Sequence, residues 1–262
     1  MAPPTSRVLS VLSKQQLTPN MIRITLGGPN LKGFPEGYES GYIKLKFSIE
    51  SLSDPMLSSL QGLLNGKDSC LRTYTVRSFN AKNQQLTIDF VAHGTNGPAS
   101  AWAMHAMPGD NITITGPGDK KLVDMNADWF FIAGDMTALP AISVNLEQMP
   151  RDARGYAVIA IINEADKQQI NAPEGVTIHW VVNPDPTELD SQLLDTVKKL
   201  EWLEGYPSVW VACEFSSMRQ IRTYFRKERG LNRDQVYASS YWKIGDTDEG
   251  NKAAKRNDTD AG

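Results

Sequence analysis

The chain has 262 residues, 40% of them hydrophobic and 22% charged, a balance that suits a globular protein of two ordinary domains. Its formal net charge of −3 excludes the strongly basic footprint of a nucleic-acid binder, and no apolar run approaches the roughly 20 residues of a membrane span. Met1 to Ser6 contain no basic segment ahead of an apolar one, so no secretory signal is expected. The only cysteines, Cys70 and Cys213, stand far apart and have no metal-binding spacing, which fits a reducing, cytoplasmic setting. Charge is uneven: residues 1–122 hold 12 Lys+Arg against 8 Asp+Glu, leaving 15 against 22 for the remainder. A positive first half fits an anionic ligand.

Residues 7–14 and 20–27 predict two strands joined by a turn at Pro19-Asn20. Residues 41–47 alternate cleanly, with Tyr42, Lys44 and Lys46 on one face and Ile43, Leu45 and Phe47 on the other. Residues 50–69 read as an irregular insertion. Further strands are expected at 71–77, 85–92 and 110–116, and six short strands at this spacing predict a closed antiparallel barrel. Between them, residues 97–106 predict a helix with Pro98 in its first turn and Thr95 or Asn96 as its cap.

After Pro117-Gly118 the pattern changes. Strands are expected at 129–134, 156–162, 176–182, 207–213 and 235–239, with helices at 137–149, 189–202 and 216–229 between them. Such alternation predicts βαβ units and a parallel sheet. The expected domains are therefore a barrel over 1–124 and an α/β domain over 125–250, followed by a polar tail over 251–262 without structure of its own.

The stretch Leu71-Arg72-Thr73-Tyr74-Thr75-Val76-Arg77-Ser78 concentrates the chemistry. Alternation puts Arg72, Tyr74 and Val76 on one face and Thr73, Thr75 and Arg77 on the other. Two guanidinium groups for phosphate oxygens, a ring that stacks and hydroxyls for a ring nitrogen suit a phosphorylated aromatic cofactor. The helix at 97–106 offers free N–H groups and a positive dipole end, and its small residues at 99–101 let a pyrophosphate approach. No Ser/His/Asp arrangement, paired-carboxylate motif or metal-ligand spacing stands out, so no catalytic side chain and no metal ligand is assigned. His93 reads as a structural hydrogen-bonding residue.

The octapeptide is followed in order by His93-Gly94-Thr95-Asn96-Gly97-Pro98-Ala99-Ser100-Ala101-Trp102-Ala103, by Thr115-Gly116-Pro117-Gly118, by Ala133-Gly134-Asp135-Met136-Thr137-Ala138-Leu139-Pro140, and by Tyr241-Trp242-Lys243-Ile244-Gly245. With these motifs the chain resembles the siderophore-interacting protein family, FAD-dependent ferric-siderophore reductases of the ferredoxin-reductase-like superfamily. The resemblance implies FAD bound across the domain junction. Arg72, Tyr74, Thr75, Val76 and Arg77 look like the flavin strand, and Asp89, Phe90, Val91 and His93 like the next one. Gly97, Ala99, Ser100 and Trp102 look like the pyrophosphate helix. Asp135, Thr137 and Ala138 would lie near the adenosine end, although Gly134 belongs to no GxGxxG fingerprint. Trp242 would cover the flavin or line the pocket.

The resemblance further implies a ferric siderophore as substrate, held by basic side chains that look like Lys44, Lys120 or Lys121, and Lys243. NADH, NADPH or reduced ferredoxin would donate electrons, with a monomeric protein in the cytoplasm. The turn at Cys213-Glu214 resembles the nicotinamide side of the family, where many members carry Gly in place of Cys213 and a bulkier residue would hinder approach. Arg219, Arg222 and Arg226 fall on one helix face that suits an acidic ferredoxin or a 2′-phosphate. Two other readings stand beside this one: a flavin or ferredoxin reductase with no siderophore role, and a siderophore-binding protein that turns nothing over.

Overall fold

The computed structural model describes residues 5–48, 68–95, 97–188 and 191–260. The insertion expected over 50–69 falls, up to residue 67, outside the described residues, as does Asn96. The chain divides into two compact units, Met1–Lys121 and Leu122–Gly262.

The first unit is an antiparallel sheet of strands β1 (Ser6–Thr18), β2 (Met21–Gly27), β3 (Tyr42–Ser48), β4 (Ser69–Thr75), β5 (Ser78–Asn80), β6 (Gln85–Val91) and β7 (Asn111–Thr115), with helix α1 (Pro98–His105) between β6 and β7. The ladder order is β4-β3-β7-β1-β2-β6-β5. Alternation builds it: Ile43, Leu45 and Phe47 on β3, Leu86, Ile88 and Phe90 on β6, and Ile112 and Ile114 on β7 all enter one core. The sheet curls around that core, because Tyr74 of β4 packs on Phe90 of β6 with ring centroids 4.4 Å apart. Trp102 and Ala103 of α1 enter the same core, where the indole meets Phe47 edge-on at 5.9 Å and Phe90 in a tilted contact at 5.7 Å.

Seven strands stand where six were expected, and the ladder is open rather than closed. The difference lies in one stretch. The strand expected over 71–77 bends at Val76-Arg77, so β4 pairs with β3 while β5 crosses to β6. At the bend, Val76 N donates to Gly41 O at 2.8 Å and Arg77 N donates to Thr87 O at 3.0 Å. The two edges of the ladder are thus consecutive stretches of one chain.

The second unit is a parallel sheet of β8 (Trp129–Asp135), β9 (Arg154–Ile161), β10 (Gly175–Val182), β11 (Pro207–Glu214) and β12 (Val236–Trp242), ordered β10-β9-β8-β11-β12. Helices α2 (Leu139–Gln148), α3 (Gln192–Lys199), α4 (Phe215–Thr223) and α5 (Asp248–Asp260) accompany it. β8 and β11 are buried at nearly every position, as central parallel strands must be. Gly134 is needed for close packing, since a Cβ there would lie 2.5 Å from Ala212 O and 2.8 Å from Ile142 Cδ1 of α2.

The segment from Asn251, expected to have no structure, is instead the helix α5 through Asp260. Polar contacts hold it. Asn251 is buried and accepts from Ser240 Oγ at 2.5 Å, while Asp258 accepts from Arg222 Nη1 and Nη2 at 2.6 and 3.0 Å.

Candidate functional site

In the first unit the expected site residues divide between the two faces of the sheet. On the outer face the ladder sets Lys44 opposite Thr73 of β4 and Thr115 of β7, and Tyr42 opposite Thr75. Lys44 is therefore diagonal to the buried Thr75, a separation a long side chain spans. After Thr115 the chain turns through Gly116 to Gly118, where a Cβ on Gly118 would fall 2.0 Å from Tyr42 Cζ. Only glycine lets the Tyr42 ring lie over that turn. Beyond it, Lys120 donates to Gly37 O at 2.8 Å, and Lys121 is exposed.

On the inner face, Val76 and Phe90 are fully buried and Tyr74 is half-buried against the core. Trp102 is also a core residue at 1% exposure, so it shapes the site from behind. Arg72 is half-buried on the edge strand, with its Nη1 donating to Leu71 O at 2.9 Å. The physical reason for this split is the two-residue period of a strand.

Asp89 has a role that sequence reasoning missed. Its carboxylate accepts from Arg23 Nε and Nη2 at 2.7 Å each and lies 3.9 Å from Arg77 Nε. Arg23 stands directly opposite Asp89 in the β2–β6 ladder. Asp89 thus pairs with Arg23 and stands close to Arg77, a contact that the sequence alone did not assign. The signal was there as opposite charges on neighbouring strands, but only the register pairs them.

Helix α1 starts at Pro98 with Gly97 as its N-cap and no side-chain cap hydrogen bond. The cap expected at Thr95 does not form, because the helix begins too late for its reach. Ser100 fastens the preceding turn instead: its Oγ donates to Gly94 O at 2.7 Å and accepts from His93 N at 3.2 Å. The exposed His93 ring lies beside Gly97, where a Cβ would be 3.3 Å from His93 Cε1. Ala99 is buried, and Val91 ends β6 half-buried.

In the second unit, Asp135 ends β8 beside β11, where the strand order reverses and parallel sheets take ligands. Its Oδ1 accepts from Thr137 N at 2.9 Å and Thr137 Oγ1 at 2.5 Å. Its Oδ2 accepts from Glu214 N at 3.0 Å and Trp242 Nε1 at 2.8 Å. Burial pushes the Asp135 carboxyl up, and the bonds from Thr137, Trp242 and Glu214 oppose that shift. Ala138 is fully buried beneath this turn. Glu214, not assigned from sequence, continues the network: Oε2 accepts from Ser216 N and Ser217 N at 2.5 and 3.1 Å, capping α4, and Oε1 accepts from Ile244 N at 3.3 Å. Lys243 donates to Asp246 Oδ2 at 2.8 Å and sits 5.8 Å over the Phe215 ring.

Two expectations at the donor side change. Cys213 is buried at 1% exposure within the core beneath the sheet, so its bulk lies in packing rather than in the turn. Burial pushes its thiol well above the usual range, followed by the charges of Asp135 and Glu214. The face of Arg219, Arg222 and Arg226 is partly covered: Asp258 of α5 pairs with Arg219 Nε at 2.9 Å and with Arg222.

Residues 10–121 match the family model described as the siderophore-interacting FAD-binding domain, and residues 127–245 match that of the siderophore-interacting protein. The chain belongs to the siderophore-interacting protein family. It is 35% identical over 248 residues to the ferric vibriobactin reductase ViuB of Vibrio cholerae, covering 93% of this chain and 91% of the relative. The siderophore-interacting protein SipS from Aeromonas hydrophila superposes with a TM-score of 0.83 at 32% identity, covering 98% of this chain and 99% of that one. Phthalate dioxygenase reductase, at 14% identity and a TM-score of 0.60 over 90% of this chain and 68% of its own, shares the ferredoxin-reductase-like fold.

The residues of the first unit fit an FAD. Two half-buried guanidinium groups, one on β4 and one at the bend after it, flank the buried Thr75 in sequence, and among the described residues the α1 N-terminus has no side-chain cap where a phosphate needs N–H donors.

Proposed function

We propose that the protein is an FAD-dependent ferric-siderophore reductase that works in the cytoplasm as a monomer and releases iron by converting Fe(III) to Fe(II). The observation that supports this best is the family match across both units, together with the basic and hydroxyl-bearing outer face around Lys44 and Thr75. FAD, when bound, supplies the conversion between two-electron and one-electron transfer.

The chain's own part is binding and positioning. Arg72 and Arg77 neutralise the pyrophosphate, with Asp89 and Arg23 fixing the fork of Arg77. Tyr74 stacks, Val76 and Phe90 pack behind the ring, and Thr75 donates to a flavin nitrogen. His93, Gly97, Ala99 and Ser100 shape the approach to the α1 N-terminus, and Trp102 supports it from the core. Asp135, Thr137 and Ala138 form the turn for the adenosine end, and Trp242 borders it through its bond to Asp135.

Lys44, Lys120, Lys121 and Lys243 attract an anionic ferric siderophore, which lysine does as a point charge with little demand on shape. Its donor is NADH, NADPH or reduced ferredoxin. One NAD(P)H carries two electrons and each Fe(III) takes one, so two ferric complexes are reduced per nucleotide.

The test is an anaerobic visible spectrum of the purified protein, titrated separately with each donor and then with a ferric catecholate. Flavin bands that bleach with one donor and return with the iron complex are expected. A protein that takes up no FAD on reconstitution, yet binds the ferric complex, belongs to the binding-protein class instead.

A further inference from the structure

A cavity of about 140 Å³ lies within the second unit between α4, β12 and α5. It is far larger than the roughly 10–15 Å³ one water needs. Its walls carry Arg222, Arg226, Arg233 and Lys255 against a single carboxylate, Asp258. That carboxylate is already committed to Arg222 and Arg219. Among the described residues no carboxylate forms an ion pair with Arg226 or Arg233. Arg226 Nε is buried without any hydrogen-bond partner, and its Nη2 makes only a 3.4 Å bond to Val236 O. A buried, unpaired guanidinium N–H is costly, and a like charge beside it adds to the cost.

Local backbone geometry puts Arg226 there. After Thr223, α4 widens into a π turn over Tyr224–Glu228, and such turns are frequent at functional sites. The extra residue per turn re-aims Arg226 toward β12. Burial, then the charges of Arg222 and Arg233, lower its affinity for its proton, and the charge of Asp258 only partly opposes them.

We propose that this cavity binds a phosphate group, with Arg226 and Arg233 as its principal ligands. A tetrahedral dianion matches an excess of positive charge and the forked donors of guanidinium groups. The site is separate from the cofactor turn. Arg226 contacts Val236, the first residue of β12, whereas Trp242 at its last residue reaches Asp135. They stand at opposite ends of that strand, about 20 Å apart. The inference does not depend on the reductase reading.

The test is calorimetric titration of the FAD-loaded, full-length protein with inorganic phosphate, at ionic strength held constant with chloride, beside a thermal-shift series. Wild type is expected to bind saturably, with a rise in Tm. Arg226→Gln/Arg233→Gln is expected to weaken binding at least ~10-fold while FAD content is unchanged. The single substitution at exposed Arg233 keeps a folded comparison if the double variant fails to fold. Adenosine 2′,5′-bisphosphate is titrated in parallel. Tighter binding than inorganic phosphate, lost in the same variants, assigns the group to a nucleotide; equal affinity assigns a free phosphate. No saturable binding by wild type, or the same response in both proteins, overturns the proposal.

Discussion

The indole Nε1 of Trp242 donates to Asp135 Oδ2 at 2.8 Å, joining residues 107 positions apart at the ends of β12 and β8. Glu214 N shares that oxygen, so one carboxylate ties three strand ends together. The turn that would meet the cofactor is therefore set by strands distant in sequence.

Removing that carboxylate leaves four donors without a partner, two from Thr137 and one each from Glu214 and Trp242. Asp135→Ala is expected to destabilise the protein by about 2–4 kcal/mol, and Trp242→Phe, which removes one donor and leaves Asp135 three, by about 1 kcal/mol. Urea unfolding of both variants checks the order. Equal losses would mean that the network is not centred on Asp135.

Asp89 is expected to act on FAD through Arg77. Asp89→Asn keeps the shape but weakens the charge-assisted bonds to Arg23 and Arg77, so FAD affinity should fall by roughly 10-fold. Flavin fluorescence during dilution measures it. Arg23→Met should show a smaller loss, because Asp89 keeps Arg77. If Arg23→Met proves the more damaging, the orienting role passes to Arg23.

Lys44→Ala is expected to lower kcat/KM for an anionic ferric catecholate by about 3- to 10-fold, mostly through KM, with FAD retained. The effect should shrink in high salt. A neutral ferric hydroxamate should show little change. An equal loss with both substrates would locate Lys44's effect in the fold or the flavin instead.

Asp258 predicts an acid-sensitive α5. The bond from Arg222 holds its carboxyl below the usual range; burial opposes this, and the charges of Arg222, Arg219 and Arg226 assist. The unfolded chain therefore takes up the proton at higher pH than the folded one. The stabilisation is complete above the ordinary aspartate value, about 3.9, and is lost as pH falls through the lower folded value. Hydrogen-exchange protection in α5, corrected for the pH dependence of intrinsic exchange, should fall on acidification in that window, and Asp258→Asn should show low protection at every pH. An unchanged pH profile in the variant would remove Asp258 as the cause.

Thiol labelling separates the two cysteines. Cys213 is buried with its thiol pushed well up, whereas Cys70 is half-buried on β4. In the native protein a disulfide reagent should modify Cys70 alone, with Cys213 reacting only in denaturant. Mass spectrometry of the labelled peptides decides it.

Most of this fold was legible because its core is written in periodicity. Ile43, Leu45 and Phe47 alternate with Tyr42, Lys44 and Lys46, and the buried run of β8 marks a central parallel strand. What stayed hidden depends on register or on polar packing. The Asp89–Arg23 pair exists only once β2 and β6 are aligned. Helix α5 is fastened by Asn251 and Asp258, so no apolar stripe announced it, and the arginine face it covers looked open. The flavin strand's motif was plain, but the bend at Val76-Arg77 that splits it was not, because hydrogen bonds to Gly41 and Thr87 make it.

That bend also bears on self-association. An exposed edge strand is a template on which a second copy adds its own strand, the usual route from a β-sheet to aggregates. Here the outermost strands of the first unit, β4 and β5, meet head to tail through two residues. The stretch richest in proposed cofactor contacts thus also carries both ends of the ladder.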